Sequence, residues 1–224
     1  MTPPPAIPGP AGPLPCTVLP ARPSHTLLLA TNNVHKLDEL RQILARLPVV
    51  LVSPRQLALD VEVAETGGTF EENAVLKASA FARAAGLPAL ADDSGLEVDA
   101  LSGEPGVHSR RFAGEHASDA DRIAAVLERL KDVPDERRAA RFRCVMAVAT
   151  PQALIGTVEG RCEGWIAGQP RGGHGFGYDP IFWLPDRSRT MAELAPGEKH
   201  AVSHRGRAGA AVCALLGRWL RGDV

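Results

Sequence analysis

HTLLLATNNVHKLDELRQILARL, running from His25 to Leu47, changes its apolar spacing once, and that change decides the fold. His25 to Ala30 is a short apolar run suited to a buried strand. After the polar turn Thr31-Asn32-Asn33, apolar residues return at Val34, Leu37, Leu40, Leu44 and Leu47, the spacing of one helix face. Asp38, Glu39, Arg41 and Arg46 fall on the side expected to face water. A strand that turns directly into a helix opens an α/β unit.

The pattern continues along the chain. A second helix is expected from about Thr69 to Ala85, closed by Gly86. Pro88 to Ala91 reads as a buried strand that places Asp92 and Asp93 at its carboxyl end. Ser118 and Asp121 cap a third helix whose buried face holds Ile123, Val126, Leu127 and Leu130. Ala140 to Thr150 and Ile155 to Ile166 read as successive strands, and a last helix spans roughly Arg207 to Leu220. Strands and helices alternate early and strands cluster later. The expected fold class is α/β, one domain built on a mixed sheet flanked by helices. Residues 1–24 are saturated with proline and glycine, which resist helix and sheet, so they read as a disordered extension before a domain over residues 25–224.

Composition narrows the function classes. A formal net charge of −1 argues against a nucleic-acid partner, for which a basic domain is expected. No apolar run reaches the length of a membrane span. Cys16, Cys144, Cys162 and Cys213 show neither CxxC spacing nor a disulfide framework, so reduced thiols in a cytoplasmic protein are expected. Only four of the 25 basic residues are lysines (Lys36, Lys77, Lys131 and Lys199), leaving 25 − 4 = 21 arginines. Lysine makes a point contact where arginine's planar fork does not fit.

Three of those lysines lie in stretches that carry chemistry. Thr31 to Lys36 sits where a strand ends and a helix begins, a generic anion site. Glu65-Thr-Gly-Gly-Thr69 leads into a helix carrying Lys77, with glycines that permit close backbone approach. Asp92 and Asp93, followed by Ser94-Gly95, repel one another unless a cation compensates, and suit Mg²⁺. Gly172 to Pro180 combines a high density of glycine with Phe176 and Tyr178, a backbone shaped around a flat ligand. Lys199, His204 and Arg205 form a donor-rich cluster ahead of the last helix. Each stretch alone also has a plain reading as a capped helix, a turn or a surface run.

In fixed order, LATNNVHKLDEL, ETGGTFEENAVLKA, LADDSGLEVDAL, EPGVHSRRFAG, GGHGFGYDPIF and AELAPGEKHAVSHRGRA resemble the inosine/xanthosine triphosphate pyrophosphatase (ITPase-like) family of dITP/XTP diphosphatases. The likeness runs from about Leu27 to Leu220. It implies an elongated α/β fold with a curved mixed sheet, a homodimer, and Mg²⁺-dependent hydrolysis of ITP, dITP and XTP to monophosphate and pyrophosphate. By motif position, Glu65 and Asp93 would bind Mg²⁺, and Asp93 would accept the proton of the attacking water. Thr31, Asn32, Asn33, Val34, His35, Lys36, Lys77, Ser94, Phe176, Gly177, Tyr178, Asp179, Lys199, His204 and Arg205 would hold the substrate. Lys199, His204 and Arg205 would read the carbonyl at the 6-position of the base. His35 departs from the small residue usual before the first lysine, and His108 and Phe112 replace tyrosines. A pyrophosphatase acting on dTTP or UTP, and a nucleotide sensor that does not cleave, are the alternatives.

Overall fold

The opening stretch folds as its spacing indicates: β1 (His25–Leu29) passes through a turn into α1 (Val34–Leu44). The computed structural model describes residues 25–223, so the extension read over residues 1–24, with Cys16, lies outside the described residues. α1 stops before Leu47 because Pro48 follows, and a residue preceding proline is pushed out of helical geometry. The chain then forms β2 (Val49–Val52), which pairs in parallel with β1.

α2 (Phe70–Ala85) starts at a reciprocal cap. Thr69 Oγ1 accepts from the Glu72 N–H at 3.1 Å, while Glu72 Oε2 accepts from the N–H groups of Thr69 and Gly68 at 3.2 and 2.7 Å. Such a cap stabilises a helix start by about 1 kcal/mol. There follow β3 (Ala89–Val98), α3 (Asp119–Arg129), β4 (Ala139–Ala149), β5 (Leu154–Ile166), β6 (Phe182–Leu184), β7 (Arg189–Thr190), α4 (Pro196–Val202) and α5 (His204–Arg221). The sheet order is β2-β1-β3-β4-β5-β6-β7, with β1 parallel to both neighbours and the other pairs antiparallel. This is the mixed sheet expected, in one domain.

One expectation is corrected. Asp92 and Asp93 do not end a strand. β3 continues to Val98 because β4 pairs with it from Ala89↔Ala149 to Val98↔Ala140. β1 pairs with β3 only at Ala89 and Leu90, so the two aspartates lie just past the point where β1 leaves the sheet.

Successive residues of a strand face opposite sides. On one side, Phe70, Ala74, Ala78 and Phe81 of α2 cover Ala89, Ala91, Val145 and Ala147. On the other, Leu40 and Leu44 of α1 and Val212 and Leu216 of α5 cover Leu90, Cys144 and Met146. A further apolar cluster joins α3, through Ile123, Val126 and Leu130, to Leu96, Phe142 and Phe182. α5 lies against β5 so closely that a Cβ at Gly160 would run into the carbonyl oxygen of His204 and the N–H of Ala208. Among the described residues no helix is long and apolar enough to cross a membrane, and Cys144, Cys162 and Cys213 are free thiols.

Candidate active site

The strand alternation separates the neighbouring aspartates. Asp92 shares its face with Leu90 and meets α1 and α5; Asp93 shares its face with Ala91 and meets α2. Each carboxylate is paired directly with cations of its own face, Lys36 and Arg205 for Asp92 and Lys77 for Asp93, which is the compensation that two neighbouring carboxylates require.

On the α2 side, Lys77 Nζ lies 2.9 Å from Glu65 Oε1 and 2.9 Å from Asp93 Oδ1, so one ammonium bridges two carboxylates. Asn73 Nδ2 donates to Asp93 Oδ2 at 3.3 Å, and Asn73 Oδ1 accepts from the Gly67 N–H at 2.8 Å. Asn73 thereby ties the glycine turn to the carboxylate. A Cβ on Gly67 would press on Asn73 Oδ1 and Glu72 Cβ, which is why glycine stands there. Burial pushes the Asp93 carboxyl above its ordinary value, and Lys77 and Lys36 only partly offset that. Burial also acts upward on Glu65, but Lys77 holds its carboxyl below the usual range.

On the opposite face, the Asp92 side chain is wholly buried. Its Oδ2 accepts from Lys36 Nζ at 3.0 Å, from Arg205 Nη2 at 2.9 Å and from Arg205 Nε at 3.3 Å. Burial alone would raise this carboxyl; Lys36, Arg205 and Lys77 outweigh it and hold the group far below the usual range. Asp92 Oδ1 accepts from no group among the described residues. Lys36 is placed by the start of α1, where Asn33 Oδ1 caps the Lys36 N–H at 3.2 Å and Thr31 Oγ1 accepts from the Asn33 N–H at 3.2 Å.

From Asp92 the charges continue as a chain. Arg205 Nη1 reaches Glu39 Oε2 at 2.8 Å, Glu39 Oε1 reaches Lys199 Nζ at 2.7 Å, and Lys199 Nζ reaches Asp179 Oδ2 at 2.6 Å. Asp179 Oδ2 also accepts from the Phe176 N–H at 2.9 Å. Lys199 Nζ and Arg205 Cζ lie 4.8 and 5.5 Å from the Phe176 ring centroid, and the His35 ring stacks on Phe176 at 5.2 Å with planes 13° apart. Arg205 also donates to Ser94 Oγ at 2.7 Å.

Most of the residues singled out in the sequence thus fall into two charge clusters, one on each side of β3. Others have duties of their own. The Tyr178 hydroxyl donates to the Ser109 carbonyl at 2.8 Å, and the Gly177 N–H donates to Asp119. His204 is buried with its ring stacked on Phe142; burial, reinforced by Arg205 and Lys199, keeps it neutral, and its Nδ1 has no partner among the described residues. Asn32 and Val34 are exposed at the turn. Two members were missed. Glu39, placed on the wet side of α1 by spacing, is 12% exposed and bridges two cations. Its position one turn after Lys36, on the same helix face, was the available signal. Asn73 carried no signal beyond its place in the helix after the glycine turn.

Residues 27–215 match the Ham1 family model. A dITP/XTP pyrophosphatase of Geobacillus kaustophilus is 52% identical over 182 residues, 81% of this chain and 89% of that one. The Bacillus subtilis protein of the same description is 48% identical, over 80% of this chain and 90% of its own. Among solved structures, a HAM1 protein from Coxiella burnetii superposes with a TM-score of 0.79 at 45% identity, covering 87% of this chain and 99% of its own. Extensive identity, the shared mixed sheet and the ordered motifs agree, and the chain belongs to the Ham1 family.

Proposed function

We propose that this protein hydrolyses deaminated purine nucleoside triphosphates, ITP, dITP and XTP, to the monophosphate and pyrophosphate, clearing such nucleotides before they enter DNA or RNA. One observation carries the reading: a charge chain runs from Lys36 at Asp92 to Lys199 and Arg205 beside an aromatic ring, and a second cation, Lys77, sits with Glu65 and Asp93 on the other side of β3. Lys36 and Lys77 supply compact cations beside paired carboxylates, and Lys199 and Arg205 supply donors beside the Phe176 ring.

A guanidinium carries five N–H groups and an ammonium three. Arg205 commits four of its five, to Asp92 twice, Glu39 and Ser94, and Lys199 commits two of its three, to Asp179 and Glu39. One N–H remains on each. Two spare donors suit the 6-carbonyl of hypoxanthine or xanthine, whereas the 6-amino group of adenine meets them donor to donor. Sites of this kind discriminate by roughly 10⁴ or more.

In the reaction, a water oxygen bonds to the α-phosphorus as the bond from that phosphorus to the α–β bridging oxygen breaks, and pyrophosphate leaves with the bridging oxygen. Asp93 takes the water's proton; Asn73 and Lys77 fix its orientation from two directions. Lys36 and Lys77 hold phosphate oxygens, since transfers of this type depend mainly on positioning and electrostatics. Glu65 and Asp93, two carboxylates converging on one cation, are the hard oxygen donors that Mg²⁺ takes along with water and phosphate. Bound there, Mg²⁺ supplies charge neutralisation on the phosphates and a more acidic water. The homodimer belongs to the same proposal, and a monomer in analytical ultracentrifugation would remove it.

The test is pyrophosphate release from ITP, XTP, dTTP and ATP, with and without Mg²⁺. Release from ITP and XTP only with Mg²⁺, and far slower release from ATP, is expected. Preference for dTTP would favour a pyrimidine enzyme, and absence of any release would leave a binding protein.

A further inference from the structure

Glu39 belongs to α1, Lys199 to α4 and Arg205 to α5, so three separate helices meet at one carboxylate. Both of its oxygens are used, Oε1 on Lys199 and Oε2 on Arg205. Burial pushes the carboxyl up, yet Arg205 and Lys199 more than offset it, so the group is ionised at neutral pH. Asp179 anchors Lys199 from one side and Asp92 anchors Arg205 from another; both cations also lie over the Phe176 ring, but among the described residues Glu39 is the one carboxylate paired with both. Without it, Lys199 would have two uncommitted N–H directions and Arg205 an unanchored Nη1. The cations would remain, but the number and direction of the donors facing the base would no longer be fixed.

We propose that Glu39 is a positioning residue for base selectivity: it holds Lys199 and Arg205 so that each presents a single N–H to the 6-position of the purine. The proposal rests on the function proposed above and adds to it a residue that does not itself touch the reacting atoms. Glutamine at this position accepts from one cation and turns its own N–H groups toward the other, so one of the two donors is misdirected.

The experiment measures kcat and KM for ITP and ATP in the wild type, Glu39→Gln, Glu39→Asp and Asp38→Asn, with circular dichroism as the check on folding. Asp38 is the exposed neighbour on the same helix, and its variant should keep the wild-type ITP:ATP ratio. Glu39→Gln should lower the kcat/KM ratio of ITP over ATP by about tenfold or more, because a donor array that rejects adenine is what is lost. The loss should fall mainly on KM for ITP, since Asp93 and Lys77 are untouched. Glu39→Asp keeps the charge but not the reach to both cations, and should give an intermediate ratio. An unchanged ratio in folded Glu39→Gln overturns the proposal, whether both rates fall together or neither does. Should that variant not fold, an unchanged ratio in Glu39→Asp does the same. A wild type that releases no pyrophosphate from ITP refutes the proposed function instead, so the two failures are distinct.

Discussion

Asparagine in place of Asp92 should unfold this protein far more readily than asparagine in place of Asp93. The Asp92 side chain has no exposed surface, and its Oδ2 takes three contacts from Arg205 and Lys36, of which Arg205 is almost wholly buried. Removing one partner of a buried ion pair costs about 3–5 kcal/mol. Lys36 is 16% exposed and can turn toward water, which favours the lower figure. Whichever way the amide is turned, it also places an N–H where Asp92 Oδ1 now has no partner, or against the cations. A net loss of about 3 kcal/mol is a large share of the 5–15 kcal/mol that holds a domain folded. In a chain of this size it lowers Tm by about 6–12 °C. Asp93→Asn should change stability by less than about 1 kcal/mol, because Lys77 keeps Glu65 and the asparagine spares the burial of a carboxylate whose pKa is already raised. It should nonetheless abolish pyrophosphate release from ITP. Urea unfolding of both variants at neutral pH, with unchanged m-values, measures the difference. A loss under about 1 kcal/mol for Asp92→Asn would put the pair on a par with a surface salt bridge and refute the reasoning.

Other outcomes are expected. Gly160→Ala forces a methyl group into the backbone of α5, so stability should fall by about 1–3 kcal/mol and KM for ITP should rise as Arg205 shifts; unchanged unfolding and KM would count against that packing. Acid titration should show the contribution of Asp92 directly. Its folded pKa lies below the ordinary 3.8, so its stabilisation is complete above that value and is lost as pH falls below it; an Asp92→Asn protein whose acid unfolding curve matches the wild type's would contradict this. Lys36→Arg should impair turnover more than Lys131→Arg, because Lys36 packs against buried Asp92 whereas Lys131 pairs with Glu128 in open solvent. Equal effects would reduce the scarcity of lysine to composition. Glu65→Gln should raise the Mg²⁺ concentration needed for half-maximal rate, and an unaltered requirement would remove Glu65 from the cation site.

Much of this architecture was legible because long elements repeat their apolar spacing several times. α2 and α3 have the expected helical segments, and β4 and β5 fall where two successive strands were read, β5 with exposed and buried residues alternating over its second half. β6 and β7, of three and two residues, are too short for a period to show; β6 forms on the edge that β5 offers, and β7 on the edge of β6. The extension of β3 through Asp92 to Val98 was hidden because polar residues mid-strand imitate a turn; pairing with β4, distant in sequence, decides the matter. Ordered motifs singled out Lys36, Glu65, Lys77, Asp93 and Lys199, and in the fold each of these side chains is ion-paired: Lys77 with Glu65 and Asp93, Lys36 with Asp92, and Lys199 with Glu39 and Asp179. Glu39 was hidden for the opposite reason: spacing on one helix cannot report that α4 and α5 bring cations to its face.

The alternation along β3 has a consequence for how this gene can change. Shifting a strand by one residue sends every side chain to the other face. Loss or gain of a single residue between Leu90 and Asp92 would hand Asp92's place under Arg205 to a neighbour and turn Asp93 away from Lys77. A two-residue change restores the faces but displaces both aspartates along the ladder from Met146 and Val145. A substitution in this segment removes the contacts of one side chain, whereas a change in its length re-aims every side chain beyond it, so its natural variants should differ in letters and never in count.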